Sequence, residues 1–143
     1  MYICFLTYIY YLFMSDSLVI IPTYNEKENI EAIVRKVLSL DTAFDIIIIE
    51  DNSPDGTAAI VKRLQNEFSN LHMIERKGKL GLGTAYITGF KWALDHKYEY
   101  VFEMDADFSH NPEDLIRLYE ACSEKGGDMA IGSRYVSGVN VVN

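Results

Sequence analysis

From Ser17 onward the chain alternates short apolar runs with amphipathic segments. Leu18 to Ile21 is an apolar run closed by Pro22, the form of a buried strand. Asn25 with Glu28 three residues on has the form of a capping box, and Ile30, Ile33, Val34, Val37 and Leu38 follow at helical spacing. Ile46 to Ile49 is an unbroken isoleucine run. β-branched side chains favour strands, and a continuous run predicts burial on both faces, as in a parallel sheet. Ser53-Pro54-Asp55-Gly56 is turn chemistry that opens a helix, to which Ile60, Val61, Leu64 and Phe68 give one apolar face. Leu71 to Ile74 is a weaker third strand. Gly78, Gly81 and Gly83 mark a loop before a helix carrying Ala85, Tyr86, Gly89, Phe90, Ala93 and Leu94. Tyr100 to Met104 reads as a fourth strand ending at Asp105. Asn111-Pro112 caps a helix faced by Leu115, Leu118, Tyr119 and Cys122. Gly126-Gly127 stops it, and Met129 to Ile131 reads as a fifth strand.

The predicted order is β-α-β-α-β-α-β-α-β. Such alternation implies right-handed crossovers and a parallel sheet with helices on both faces. In open sheets of this kind ligands bind beyond the carboxyl ends of the strands. The polar residues collect there. Strand one ends in Pro22-Thr23-Tyr24-Asn25-Glu26, strand two in Glu50-Asp51-Asn52-Ser53, strand four in Asp105-Ala106-Asp107 and strand five in Gly132-Ser133-Arg134. Four such clusters on one rim describe a site.

Composition changes the picture at the amino terminus. Of residues 1–14 only Thr7 is not hydrophobic, and no charge precedes Asp16. The stretch is shorter than the roughly 20 residues that span a bilayer. It lacks the basic and small-residue flanks of a signal peptide. Residues 1–14 therefore read as an extension outside the fold: a membrane-touching anchor, or the product of a start codon assigned upstream of Met14. The 143 residues amount to about one domain. A net charge of −8 excludes a protein that binds nucleic-acid backbone through a basic excess. Cys4 and Cys122 form no disulfide framework and read as free thiols in a reducing compartment.

Asp105 and Asp107 are the most informative pair on the rim. Alternate residues at a strand end can both reach one ligand across a tight turn. Two carboxylates with few other protein ligands suit Mg²⁺ or Mn²⁺, with phosphate oxygens completing the octahedron. Such a metal neutralises a diphosphate leaving group. Arg134 offers a planar fork that matches phosphate. Asp51 can accept hydrogen bonds from a nucleobase N–H. Lys77 and Lys79, among glycines, could close over phosphates. That glycine run is neither a P-loop nor a dinucleotide fingerprint, because its spacing fits neither. His72 and His96 carry no expected chemistry, and His110 is a neighbour of the carboxylates.

The runs VIIPTYNEKENI, IIIIEDNSPDGT, GKLGLGTAYITGFKWAL, FEMDADFSHNPEDL and IGSRYVSGV resemble the donor half of a family 2 glycosyltransferase. More narrowly, they are similar to the polyprenol-phosphate (dolichyl-phosphate) mannosyltransferases. The resemblance covers residues 18–138, with SPDGT, GLGTAY, the D-A-D-x-S-H-x-P run and GSRY in order. It implies a GT-A (Rossmann-like) nucleotide-diphospho-sugar transferase fold and an inverting transfer. A nucleotide-sugar donor, typically GDP-mannose, gives its sugar to a membrane polyprenyl phosphate. It implies donor-binding roles for Pro22, Tyr24, Glu26, Asp51, Gly81, Gly83, Asp105, Ala106, Asp107 and Arg134. Asp105, Asp107 and Ser109 would surround a Mg²⁺ or Mn²⁺ ion, and Asp107 and Arg134 would act in catalysis. It also implies a peripheral protein at the cytoplasmic face of a membrane.

Two departures stand out. Glu50-Asp51-Asn52 replaces the family's usual Asp-Asp-Gly, with Asn tolerating the left-handed conformation glycine would adopt. The chain also ends at Asn143, whereas the resemblance implies about a hundred further residues with the acceptor site. On this reading residues 15–143 are the donor-binding part of a transferase domain whose acceptor part is missing. Two other functions fit the same residues: a nucleotide-binding module without catalysis, and a family 2 transferase acting on a hydroxyl acceptor.

Overall fold

The computed structural model describes residues 15–133. The expectations for the amino-terminal extension and for Arg134 lie outside them. Within them the order is β1 (Ser17–Thr23), α1 (Ile30–Leu38), β2 (Asp45–Glu50), α2 (Thr57–Gln65), β3 (Leu71–Glu75), α3 (Leu82–Asp95), β4 (Tyr100–Glu103) and α4 (Asp114–Ser123). The strands form one parallel sheet in the order β3-β2-β1-β4.

The isoleucine run explains how the two layers are held. Side chains alternate across a strand. Ile46 and Ile48 join a core with Val19, Ile21 and residues of α1, α2 and α4, including Ile33, Val37, Leu64 and Leu115. Ile47 and Ile49 turn to the opposite face with Leu18 and Ile20, where α3 supplies Ala85 and Ala93. Every residue of β2 is buried, as a central parallel strand requires. Helices thus cover both faces.

Three local expectations are corrected. The segment Met129–Ile131 forms no strand; Met129 and Ile131 are each 76% exposed. A strand persists only where a neighbour takes its hydrogen bonds, and β4 pairs only with β1 among the described residues. Asn25 does not cap α1. It sits at φ 63°, and the helix begins at Ile30, with the Glu26 carbonyl accepting the N–H groups of Asn29 and Ile30. The helix after Asn111-Pro112 begins at Asp114. Asn111 instead closes the preceding turn, its side-chain oxygen accepting the Glu113 N–H at 3.2 Å and its carbonyl the Asp114 N–H at 3.0 Å.

Candidate active site

The carboxyl ends of β1, β2 and β4 open onto a cleft of about 220 Å³. Register places them side by side: Thr23 pairs with Glu50, Glu50 with Glu75 and Ile20 with Glu103. The cleft is lined by Pro22, Thr23, Tyr24 and Glu26 from β1 and its loop, and by Asp51 after β2. Lys79, Gly81, Leu82 and Ala85 line it from the start of α3, and Asp105, Ala106 and Asp107 from the turn after β4. Of the expected donor residues that the structure describes, Gly83 alone does not line the cleft; it lies within the first turn of α3. Gly81 is the residue before that helix, at φ 96°, a conformation open to glycine and strained for other residues.

Ser53 to Thr57 brace the loop after β1. The Ser53 hydroxyl accepts the Asn25 N–H at 3.0 Å, the Thr57 hydroxyl accepts the Glu26 N–H at 3.0 Å, and the Asp55 carboxylate accepts the Lys27 N–H at 3.1 Å. The Thr57 hydroxyl donates in turn to Asp55 at 2.7 Å. This turn chemistry therefore positions Tyr24 and Glu26 from behind. Glu50 is fully buried, and its carboxylate accepts the N–H groups of Asn52 and Ser53, both at 2.8 Å. Asn52 adopts φ 56°, the left-handed conformation.

On the opposite side of the cleft, Asp105 accepts a hydrogen bond from the Tyr86 hydroxyl at 3.3 Å. Burial and the nearby Asp105 charge push that phenol far up, so it remains a donor. Phe108 stands at φ 60° and turns the chain so that the Ser109 N–H donates to Asp107 Oδ1 at 2.9 Å. That bond holds the Asp107 carboxyl below the usual carboxylate range. Ser109 thus stands beside Asp107 without lining the cleft. His110 accepts the Asp105 N–H at 3.4 Å, a long contact at the carboxylates' edge. His72 and His96 pack instead against Trp92, with centroid separations of 4.8 and 3.8 Å.

Lys79 reaches back across the cleft, its ammonium 4.7 Å from the centre of the Tyr24 ring. Among the described residues the lining carries four carboxylates, Glu26, Asp51, Asp105 and Asp107, against one ammonium. These carboxylates favour a cation beside any anion that enters. Asp105 and Asp107 offer hard oxygen ligands suited to Mg²⁺ or Mn²⁺. Among the described residues no cluster of three or more His, Cys, Asp or Glu could hold an ion. An ion here would draw its remaining ligands from solvent and from the phosphates.

Arg76 escaped the sequence reading, and Thr23 was placed on the rim without a role of its own. Arg76, directly after β3, forms a side-on fork with Asp51. Its basic side chain beside a rim acid was a signal, but only the strand register brings the two together. Among the described residues the buried Thr23 hydroxyl has no hydrogen-bond partner, although it lines the cleft.

An open parallel sheet with a carboxylate-lined cleft beyond its strand ends is an α/β architecture, and its structural neighbours are glycosyltransferases of the GT-A type. The mannosyltransferase PcManGT from Pyrobaculum calidifontis, solved in complex with GDP-Man and Mn²⁺, superposes with a TM-score of 0.62 at 26% identity, over 71% of this chain and 30% of that one. TarS from S. aureus superposes with a TM-score of 0.60 at 25% identity, over 73% of this chain and 30% of that one. The chain belongs to glycosyl transferase family 2, whose family model matches residues 18–143. It is 48% identical over 128 residues to polyprenol monophosphomannose synthase of Mycolicibacterium smegmatis, covering 89% of this chain and 48% of that protein. It is 43% identical over 126 residues to undecaprenyl-phosphate mannosyltransferase of Micrococcus luteus, covering 88% and 51%. It is 40% identical over 130 residues to dolichol-phosphate mannosyltransferase of Pyrococcus furiosus, covering 87% and 35%. The chain spans about half the length of the two bacterial relatives. Among the described residues no helix is long and apolar enough to cross a membrane.

Proposed function

We propose that the cleft binds a nucleotide-sugar, GDP-mannose first among candidates, and serves transfer of its sugar to a polyprenyl phosphate with inversion. One observation carries this reading: Pro22, Tyr24, Glu26, Asp51, Asp105, Ala106 and Asp107, from three strand ends, line a single cleft. The names of the relatives support the lipid-phosphate acceptor, and the GDP-Man and Mn²⁺ held by PcManGT support the donor and the ion.

The base lies toward Asp51, whose carboxylate accepts from N–H groups. The unpartnered Thr23 hydroxyl offers a further polar contact at that end. Asp105 and Asp107 would hold Mg²⁺ or Mn²⁺, with Ser109 orienting Asp107. A metal held there would supply positive charge against the departing diphosphate. Lys79 and, beyond the described residues, Arg134 supply cations toward the phosphates. An acceptor phosphate oxygen forms the new bond to the anomeric carbon from the face opposite the diphosphate, whose bond to that carbon breaks. The nucleoside diphosphate leaves. The acceptor is already ionised near neutral pH, so no side chain has to remove a proton. The protein's task is alignment and electrostatic stabilisation. The acceptor's apolar chain places the complete reaction at a membrane surface, with the protein peripheral at its cytoplasmic face.

Calorimetric titration of this chain with GDP-mannose and with UDP-glucose, each with and without Mn²⁺, tests the reading. Metal-dependent binding that favours GDP-mannose is expected. Absence of binding to either sugar nucleotide would sink it.

A further inference from the structure

Arg76 does not line the cleft, yet it is tied to two of its walls. Its Nε and Nη2 donate to Asp51 Oδ1 and Oδ2 at 2.5 and 2.7 Å. Its Nη1 donates to the Thr84 hydroxyl at 2.8 Å, and Nη2 also reaches the Gly81 carbonyl at 3.3 Å. The Thr84 hydroxyl donates in turn to the Leu80 or Gly81 carbonyl, at 2.9 and 2.8 Å. The Arg76 and Asp51 side chains are only 7% and 9% exposed. One planar guanidinium thus joins the acid after β2 to the turn that starts α3.

We propose that Arg76 is a positioning residue for nucleotide recognition: it fixes the Asp51 carboxylate against the Gly81–Thr84 turn, so that the base end of the cleft is set before ligand enters. This rests on the reading of the cleft as a nucleotide-sugar site. The fork occupies one lone-pair direction on each Asp51 oxygen and leaves the others for the donor groups of a base. A carboxylate held by two parallel bonds cannot rotate without breaking both. The same guanidinium holds the Gly81 carbonyl, which sets where α3 begins. Lysine cannot reproduce this, because a single ammonium has no fork.

The test separates the base end from the phosphate end. Calorimetry on the full chain with Mn²⁺ compares GDP with pyrophosphate, which lacks the base, for Arg76→Gln, Arg76→Lys and Thr84→Val. Arg76→Gln and Arg76→Lys are expected to lower GDP affinity about tenfold or more. Pyrophosphate affinity should stay within about twofold. Thr84→Val removes one strut at an exposed position and should weaken GDP binding by about threefold, again without affecting pyrophosphate. GDP affinity unchanged in the folded Arg76 variants would overturn the proposal, and so would parallel loss of both ligands, which marks a merely structural role. If the Arg76 variants do not fold, Thr84→Val decides, and unchanged GDP affinity there overturns it. Failure of the unaltered chain to bind GDP would overturn the nucleotide reading along with this one. Binding by the unaltered chain with insensitive variants would overturn only the role of Arg76.

Discussion

Gly89 of α3 rests directly on Ile20 of β1. A β-carbon built on Gly89 would lie 2.5 Å from Ile20 Cγ2 and 2.8 Å from its Cδ1, and Ile20 is fully buried. The missing side chain is what lets α3 approach the sheet closely enough for Ala85 and Ala93 to join its core. Gly89→Ala is therefore expected to destabilise the fold by about 1–3 kcal/mol through overpacking. The gain of about 1 kcal/mol in helix propensity offsets only part of this. A lowered thermal midpoint is expected. A raised one would show that α3 can shift outward at little cost.

Glu50 is a buried carboxylate whose work is local. It satisfies the N–H groups of Asn52 and Ser53, which shape the turn leading from β2 past Asp51. Glu50→Gln keeps the volume but offers one acceptor oxygen in place of two. A loss of about 1–3 kcal/mol is expected. Urea denaturation would show it as a lower midpoint at unchanged slope. An unchanged midpoint would mean that solvent can satisfy both N–H groups.

His72 makes stability depend on pH. Burial penalises its cation and holds its titration below the ordinary value of 6.5, against the pull of Asp45 and with the push of His96. A folded value below the unfolded one gives a contribution that is complete above about pH 6.5 and lost as pH falls through the folded value. Asp45 is raised by burial from its ordinary value of 3.8 and works in the opposite sense. The quantity to read is thus the difference between the chain and its His72→Gln variant. The unaltered chain should lose stability relative to the variant on going from pH 7.5 to about pH 5.5. Parallel curves would show that His72 takes up its proton equally well in both states.

Asp107→Asn should remove the metal dependence of sugar-nucleotide binding, because an amide is a weaker ligand for a hard cation than a carboxylate. A drop in affinity of about tenfold or more in Mn²⁺ is expected, with little change in its absence. Equal Mn²⁺ enhancement in the variant would refute the assignment of Asp107 to the ion. His110→Gln, at the edge of the same carboxylates, should leave binding within about twofold.

The strands and helices up to α4 were legible because their signals are local. The isoleucine run of β2 shows in composition, and the spacing of Ile30, Ile33, Val34 and Val37 shows in period. The turn Ser53-Pro54-Asp55-Gly56 was legible as a helix opening, but its bonds to Asn25, Glu26 and Lys27 were not, because they cross 28 to 31 residues. Met129–Ile131 shows the reverse error. Its residues favour a strand, yet propensity cannot supply the neighbour that a strand needs.

The sequence by itself determined the alternation of elements, the parallel sheet and the gathering of Tyr24, Glu26, Asp51, Asp105 and Asp107 on one rim. Periodicity, turn chemistry and the topology rules of alternating folds reach that far. Tertiary structure alone decided that Arg76 grips Asp51, that Lys79 covers Tyr24 and that Glu50 serves the turn rather than the cleft. These depend on register. Glu50 pairs with Glu75, so the next residues, Asp51 and Arg76, emerge side by side at a spacing of about 5 Å. A shift of one residue would turn their side chains to opposite faces. No local pattern encodes that choice, because packing fixes it only when both strands are buried in one sheet.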